Sequence, residues 1–264
     1  MSAIPVGWAE RLKAGLLRHW PGALAFSGGL DSRFLARMGL EFGCHFHAIH
    51  LSGPHVPAPE TEYALAWLNR AGLDRSVVQF NPLRLESVRR NGPDRCYHCK
   101  KAGFSLILDK ARSLGLAHVI DGTNRSDAKK QRPGIKGLRE LGVGSPLDAA
   151  GLEKGRIRRL ARELQVDHPD QPSSACLLTR FAYGLSPDPQ IMRRLERSEA
   201  GLREIGLVDF RIRVLGDGRM LLQVSREEGE IAASLWSGIS ETTRLQGVKL
   251  EGLAATDVVS GFFD

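Results

Sequence analysis

Ala23-Leu24-Ala25-Phe26-Ser27-Gly28-Gly29-Leu30-Asp31-Ser32 decides the architecture. Four apolar residues predict a short buried strand, a glycine pair breaks it, and Phe34, Leu35, Met38 and Leu40 then recur at helical spacing. Strand, glycine loop and helix in that order place backbone N–H groups and the positive end of a helix dipole around the loop, an arrangement suited to an anion. Gly28 and Gly29 permit positive φ and close backbone approach, Ser27 and Ser32 offer hydroxyls, and Asp31 is suited to hold a metal ion or cap the helix. The bland alternative is a glycine turn with an N-cap. The loop has neither the Gly-Lys-Ser/Thr ending of a Walker loop nor the spacing of a dinucleotide fingerprint.

Around this loop the pattern repeats. Trp8 to Trp20 reads as a helix stopped by Pro21-Gly22, Cys44 to Leu51 as a strand, Glu60 to Ala71 as a helix and Val77 to Phe80 as a strand. Arg89 to Lys100 reads as a loop carrying two cysteines, Ala102 to Leu114 as a helix, and Ala117 to Ile120 as a strand running into Asp121-Gly122-Thr123-Asn124. Alternating strands and helices predict an α/β fold, a parallel sheet with helices on both faces, whose ligands bind beyond the carboxyl ends of the strands. Ser27–Ser32 and Gly122–Asn124 both follow such ends. Past Ser186-Pro187-Asp188-Pro189 the pattern changes: a helix from about Gln190 to Ile205, a hairpin of Phe210–Leu215 and Met220–Ser225 around Gly216-Asp217-Gly218, a helical stretch Arg226–Leu235, and a last strand at Arg244–Leu250. The expected division is residues 1–186 and a smaller α+β domain of residues 187–264.

The chain has 264 residues, 37 Lys+Arg against 30 Asp+Glu, a net charge of +7, and 42% hydrophobic residues. That apolar fraction excludes a disordered chain, and no stretch reaches the roughly 18 continuous apolar residues of a membrane span. The amino-terminal MSAIPVGWAERLKAG lacks an export-type apolar run, so a cytoplasmic location without a membrane partner is expected. Four cysteines in such a chain suit metal, redox or nucleophilic roles better than a disulfide framework.

Two of them, Cys96 and Cys99, stand three apart in Asp94-Arg95-Cys96-Tyr97-His98-Cys99-Lys100-Lys101, a spacing that lets both sulfurs reach one metal, with cations beside them that favour thiolates. A pair of semi-buried thiols is the alternative. Cys176 lies among small residues in Pro172-Ser173-Ser174-Ala175-Cys176-Leu177, with Arg180 near enough in sequence to favour a thiolate and an anionic substrate; the alternative is a buried small hydrophobe. Cys44 reads as buried outright.

The hexapeptide Ser27–Ser32 resembles the pyrophosphatase loop, or PP-loop, of enzymes that split ATP between its α and β phosphates to adenylylate a substrate. Pro93–Lys101, Asp121-Gly122-Thr123-Asn124 with Asp127, Arg132-Pro133-Gly134, Glu140–Leu147 and Pro172–Leu177 extend the likeness over nearly the whole chain. Together they resemble the LarE family, the ATP-dependent sulfur-inserting enzymes of nickel-pincer nucleotide biosynthesis. The resemblance implies that a carboxylate of pyridinium-3,5-biscarboxylic acid mononucleotide is activated as an acyl adenylate and converted to a thiocarboxylate. It implies ATP and Mg²⁺ at Ser27, Gly28, Gly29, Asp31 and Ser32, with Gly122, Thr123, Asn124 and Asp127 lining the nucleotide side, and Cys176 as the sulfur-handling residue.

The family has two sulfur routes: sacrifice of the cysteine's own sulfur, or delivery from a [4Fe-4S] cluster held by three cysteines. Cys96, Cys99 and Cys176 match the three-cysteine pattern, and three thiolates leave one iron open, as a sulfide carrier requires. The resemblance also places Arg180, Glu199, Arg211 and Arg213 as substrate contacts. Arg211 and Arg213 share one strand face, which suits a phosphate, or else a solvated charged face. The chain departs from the family at Pro169 and Gln171, where Trp and Lys are usual. A sulfur donor or cluster-loading partner and a homo-oligomer, up to a hexamer, are further implications. Other readings are a PP-loop tRNA thiolase, with Arg156, Arg158, Arg159 and Arg162 and Arg193, Arg194 and Arg197 as RNA contacts, and a non-catalytic nucleotide or iron–sulfur carrier. Only 6% of residues are aromatic and no separate RNA-binding module is evident, so RNA is not the expected partner.

Overall fold

A computed structural model of the protein describes residues 6–129, 133–172, 176–257, 259 and 262–263; Arg132, Ser173, Ser174 and Ala175 of the motifs above lie outside them. In chain order the elements are α1 (Val6–Arg18), β1 (Gly22–Ala25), α2 (Leu30–Glu41), β2 (His47–Ser52), α3 (Ala58–Arg70), β3 (Arg75–Gln79) and α4 (Glu86–Arg89). There follow α5 (Arg95–Ser113), β4 (His118–Ile120), α6 (Arg125–Lys129), α7 (Pro133–Glu140), α8 (Pro146–Ala149) and α9 (Lys154–Glu163). The last are α10 (Pro189–Glu204), β5 (Phe210–Val214), β6 (Met220–Ser225), α11 (Gly229–Ser234), α12 (Trp236–Leu245) and β7 (Leu250–Thr256).

Two compact units result, one of Met1–Gly53, Ala58–Phe80 and Cys96–Ser173, the other of Pro54–Pro57, Asn81–Arg95 and Ser174–Asp264. In the first unit four parallel strands lie in the order β3-β2-β1-β4, with Ala23 opposite His47 on one side and Val119 on the other. Because strand side chains alternate between faces, consecutive residues enter different cores. Leu24, Ala48 and Ile120 join Leu12, Phe34, Leu68 and Leu160. Ala23, Ile49 and Val119 join Ile107, Ala111 and Leu138. Helices therefore cover both faces, as expected of strands that read as continuous apolar runs.

The second unit carries a mixed sheet in the order β5-β6-β7, antiparallel then parallel. Its longest helix, α10, starts on Asp188, whose carboxylate accepts from the N–H groups of Gln190 (2.6 Å) and Ile191 (3.2 Å), with Pro189 at the first helical position. Three sequence expectations change. The loop expected at Arg89–Lys100 is largely helical: α5 begins at Arg95 and carries both cysteines in its first turns. The strand expected at Arg244–Leu250 is the end of α12 and a turn, which Gly247 closes at φ +73°, and pairing with β6 starts only at Leu250. The second unit starts before Pro187, because Phe181 bridges to Val214 of β5 and Asn91 donates to the carbonyls of Ala182 (2.8 Å) and Leu185 (2.9 Å).

Candidate active site

In the first unit the chain leaves β1 to the helix before β2, then crosses to the other side of β1 to build β4. The strand order thus reverses between β1 and β4, the place where open α/β sheets bind ligands. Ser27–Ser32 follows β1 and Gly122–Asp127 follows β4, and the two loops touch: a Cβ on Gly122 would lie 3.0 Å from the Ser32 nitrogen.

The loop after β1 is built for close approach. Gly28 has φ +82°, and a Cβ there would lie 2.7 Å from the Cβ of Ala64 on α3, so only glycine fits. Ser27 Oγ accepts from Gly29 N–H (3.2 Å), and Ser32 Oγ donates to the Gly29 carbonyl (2.9 Å). These bonds fold the loop around the start of α2, whose N-cap is Gly29, and no side chain caps the helix. Its first-turn N–H groups are left for an anion.

Asp31 stands in that first turn. Its Oδ2 meets Lys154 Nζ at 2.6 Å, while Oδ1 is buried without a hydrogen-bond partner. Burial pushes the carboxyl above its ordinary value, Lys154 pulls it back, and Asp127 adds to the upward push. An orphaned carboxylate oxygen beside an anion cradle suits a hard cation. Mg²⁺ commonly takes one or two carboxylates and completes its shell with phosphate oxygens and water. Sequence reasoning missed Lys154. The available clue was its place at the start of α9, where the helix dipole disfavours a cation unless an acid faces it. Replacing Lys154 by methionine should cost about 1–3 kcal/mol by leaving the half-buried Asp31 carboxylate without its cation. Adding Asp31→Asn should recover most of that in chemical denaturation.

The loop after β4 is set by Asp121, which sequence reasoning left without a role. Its Oδ1 accepts from Thr123 N–H (3.2 Å) and Ser145 Oγ (2.7 Å), and its Oδ2 from the Thr123 hydroxyl. Asn124 and Asp127 cap α6 reciprocally: Asn124 Nδ2 donates to Asp127 Oδ2 (2.7 Å), and Asp127 N–H donates to Asn124 Oδ1 (3.1 Å). Beneath the glycine loop, buried His50 donates from Nδ1 to the Phe26 carbonyl (2.9 Å) and accepts at Nε2 from the Thr61 hydroxyl (3.1 Å). Burial holds its pKa below the ordinary 6.5. The unfolded chain therefore binds this proton more readily, and His50 contributes stability above pH 6.5 that is lost as pH falls through its folded value. His50→Gln should flatten the fall in Tm on acidification below pH 6.5.

Cys96 is exposed and Cys99 half-buried, one turn apart on α5. In the second unit Cys176 is half-buried, and its carbonyl accepts from Thr179 N–H (2.9 Å) and Oγ1 (2.7 Å) to start a 3₁₀ turn. None of the four cysteines is in a disulfide, and Cys44 is 1% exposed, the buried hydrophobe expected. Among the described residues no group of three or more His, Cys, Asp or Glu side chains is gathered to hold a metal ion.

The second-unit residues expected as substrate contacts are deeply placed, which removes the alternative of a solvated charged face. Arg180 grips Glu199 with both nitrogens of its fork, at 2.8 and 2.8 Å, and each residue is 2% exposed. Burial opposes charge on Glu199, but Arg180 and the Ile212 N–H (3.0 Å) more than offset it and hold the carboxyl below its ordinary value. Arg211 and Arg213 are likewise buried, not solvated. Arg213 reaches Gln223 (2.8 Å) and the carbonyls of Thr179 (2.6 Å) and Val259 (2.5 Å), under the rings of Phe262 and Phe263.

A parallel sheet, a glycine loop opening an uncapped helix and a reversal of strand order beside it define an α/β protein, and the arrangement is consistent with a PP-loop-like fold. No family model matches the chain. The chain belongs to the family of the uncharacterized protein slr1717 of Synechocystis, with which it is 32% identical over 191 residues, 72% of this chain and 71% of that protein. It is similar to the uncharacterized protein MJ0830 of Methanocaldococcus jannaschii, 28% identical over 190 residues, 72% of each. It is also similar to the pyridinium-3,5-bisthiocarboxylic acid mononucleotide synthase of Lactiplantibacillus plantarum, 29% identical over 196 residues, 74% of this chain and 71% of that enzyme. No helix among the described residues is long and apolar enough to cross a membrane.

Proposed function

We propose that the protein is an ATP-dependent sulfurtransferase that converts a carboxylate of a pyridinium mononucleotide to a thiocarboxylate. The observation that carries the reading is the cradle at the switch point: open N–H groups at the start of α2 with the orphaned Oδ1 of Asp31 among them. The similarity to the pyridinium-3,5-bisthiocarboxylic acid mononucleotide synthase of Lactiplantibacillus plantarum supports the substrate class.

A carboxylate resists nucleophiles because it is already anionic. In the proposed reaction its oxygen attacks the α-phosphorus of ATP, the bond to the β-phosphate oxygen breaks, and pyrophosphate leaves. A sulfide-level nucleophile, sulfide or the Cys176 thiolate, then adds its lone pair to the acyl carbon and AMP departs with the bonding electrons. On the Cys176 route loss of the Cα proton then breaks the Cβ–Sγ bond and leaves dehydroalanine. The protein's part is to hold charge. First-turn N–H groups of α2 and the hydroxyls of Ser27 and Ser32 would donate to phosphate oxygens, and Asp31, its other oxygen fixed by Lys154, would hold a Mg²⁺ that offsets charge on the leaving pyrophosphate. Gly122 admits the nucleotide close to the loop, and Thr123, Asn124 and Asp127 form that wall.

Cys176 is the proposed sulfur-handling residue, and Cys96, Cys99 and Cys176 would hold a [4Fe-4S] cluster. What supports the ligand role is chemical type and access: all three are thiols at least partly open to solvent, unlike Cys44. When bound, such a cluster supplies an open iron position able to carry sulfide. A homo-oligomer and a partner that restores the sulfur belong to the same proposal.

The test is pyrophosphate release and product mass with ATP, Mg²⁺ and pyridinium-3,5-biscarboxylic acid mononucleotide. The expected result is pyrophosphate release and a product in which sulfur replaces one oxygen. Release without sulfur incorporation would leave an adenylylating enzyme of another kind, and no release would end the reading. Anaerobic reconstitution with iron and sulfide should load four irons on the wild type and none on Cys96→Ala, Cys99→Ala or Cys176→Ala. If no cluster forms, mass loss from Cys176 during a single turnover would establish the sacrificial route instead.

A further inference from the structure

Arg33, one residue past the glycine loop, is fully buried, which is unusual for an arginine. Its guanidinium spans two parts of the first unit. Nε donates to the Gly28 carbonyl at 3.0 Å, and so fixes the peptide plane between the two loop glycines. On the far side Nη1 donates to the Asp167 carbonyl and Nη2 to Gln171 Oε1, while Nη1 also reaches the Tyr63 hydroxyl at 2.9 Å. The cation lies 5.2 Å from the Tyr63 ring centroid. All four acceptors are neutral oxygens, and the Asp167 carboxylate pairs with Arg70 at 2.8 Å and also bonds the Tyr63 side chain. Burial works against the guanidinium, the charges of Asp167 and Asp31 oppose that in part, and a further anion on the loop would add to the relief.

The far partner is itself under strain. His168 lies between the two Arg33 contacts with φ +47°, left-handed backbone that a residue with a Cβ seldom adopts, and Gln171 N–H closes the turn on its carbonyl at 3.2 Å. Such conformations persist where the surroundings over-determine them, and they gather at functional sites. Arg33 is one of the groups that hold this segment, with Arg70 on Asp167, Arg162 on Asp170 and the Tyr63 ring beside His168, and its other end holds the glycine loop. The segment so held leads in sequence directly to Cys176.

We propose that Arg33 is a positioning residue that ties the Ser27–Ser32 loop to residues 167–171, so that a nucleotide on the loop orders residues 167–171. The proposal rests on the reading of Ser27–Ser32 as the ATP loop. An anion on the loop draws the Gly28–Gly29 peptide into register and favours the buried cation. The same cation then holds Asp167 and Gln171 more firmly. The order of residues 167–171 is thereby coupled to ATP occupancy without a contact between Arg33 and the nucleotide.

Hydrogen exchange of the full chain, with and without ATP and Mg²⁺, separates the possibilities, because local opening reports on each segment by itself. In the wild type, ATP is expected to slow exchange in both 27–34 and 165–171. In Arg33→Met at saturating ATP, protection should persist in 27–34 and vanish in 165–171, and Arg33→Lys should restore only part of it, because an ammonium lacks the planar fork. Gln171→Ala, which changes a half-buried side chain and keeps the loop intact, guards against a failure of Arg33→Met to fold. It should leave the KM for ATP within about twofold and, like Arg33→Met, keep ATP protection in 27–34 while losing it in 165–171. Protection of 165–171 by ATP that survives in both Arg33→Met and Gln171→Ala would overturn the proposal, as would loop protection in the wild type with no response at 165–171. If ATP protects neither segment of the wild type, the ATP-loop reading falls and takes this one with it.

Discussion

Alanine at Gly28 should abolish pyrophosphate release to within the detection limit while leaving most of the fold in place. Two independent costs meet at this residue. At φ +82° a Cβ is strained by roughly 1–2 kcal/mol, and the methyl would sit 2.7 Å from the Cβ of Ala64, a further overpacking cost of about 1–3 kcal/mol. The loop is the softer partner, because α3 is anchored by Ala64 and Leu68 in the first-unit core. The strain is therefore released by moving Gly28 and Gly29 away from α3, which tilts the N–H groups meant for phosphate. A shift of even 1 Å in such a cradle costs on the order of a hundredfold in rate. The checks are pyrophosphate release and ATP binding by calorimetry, alongside the far-ultraviolet circular dichroism spectrum. Alanine at Gly43 is the control: φ is also positive, at +74°, but a Cβ there meets nothing within 4 Å. It should cost only the backbone term and leave turnover close to wild type.

Glu199→Ala is expected to be the most destabilising single change in the second unit. It leaves Arg180 buried and without its bidentate partner, and removing one member of a buried ion pair typically costs about 3–5 kcal/mol. The Ile212 N–H of β5 loses its acceptor as well. Because Glu199 is held below its ordinary carboxylate value, its contribution is present above the unfolded pKa and is lost as pH falls through the folded one. The wild type should thus lose stability steeply in acid. Glu199→Gln should show a shallower slope there, since a neutral amide has no proton to gain. Urea unfolding followed across pH measures both, and equal slopes for the two proteins would remove Glu199 as the cause. A loss of activity in Glu199→Ala at temperatures where it remains folded would point to a substrate contact in addition.

The first unit was largely legible because its information is local. Strand, glycine pair and helix follow one another within twenty residues, and apolar runs buried on both faces leave little choice of fold. The helical state of Cys96 and Cys99 was not legible. Gly92-Pro93 reads as a break, and Cys, Tyr and His have middling helix propensity. What supports the start of α5 is packing from α7, forty residues on: Gly134 lies under the Lys100 stem and Gly137 under Tyr97, where a Cβ would meet atoms at 2.7 and 3.4 Å. Lys101 and Tyr97 then close on Glu140, at 2.6 and 2.7 Å. The strand misplaced at Arg244–Leu250 failed for another reason. In Leu250–Thr256 glycine and alanine replace the bulky alternation that marks an outer strand, so only pairing with β6 identifies it. Arg33, Arg180 and Arg213 carry no mark in sequence that separates a buried guanidinium from a solvated one. Their partners are distant residues and backbone carbonyls, invisible until the chain is folded.

Asn91 carries a consequence for how such a protein can vary. It is fully buried at φ +53°, and its side chain and carbonyl bind Ala182, Gly184 and Leu185, some ninety residues downstream. The second unit is thus threaded through the middle of the first in sequence, and no single cut in the chain releases it whole. Recombination at the Pro187 linker would deliver α10 and its sheet to a new host without Asn91 and without Arg180, leaving Glu199 as a buried charge. Inheritance of this architecture is therefore all or nothing: lineages can trade loops and surface residues, but the second unit cannot travel as a cassette.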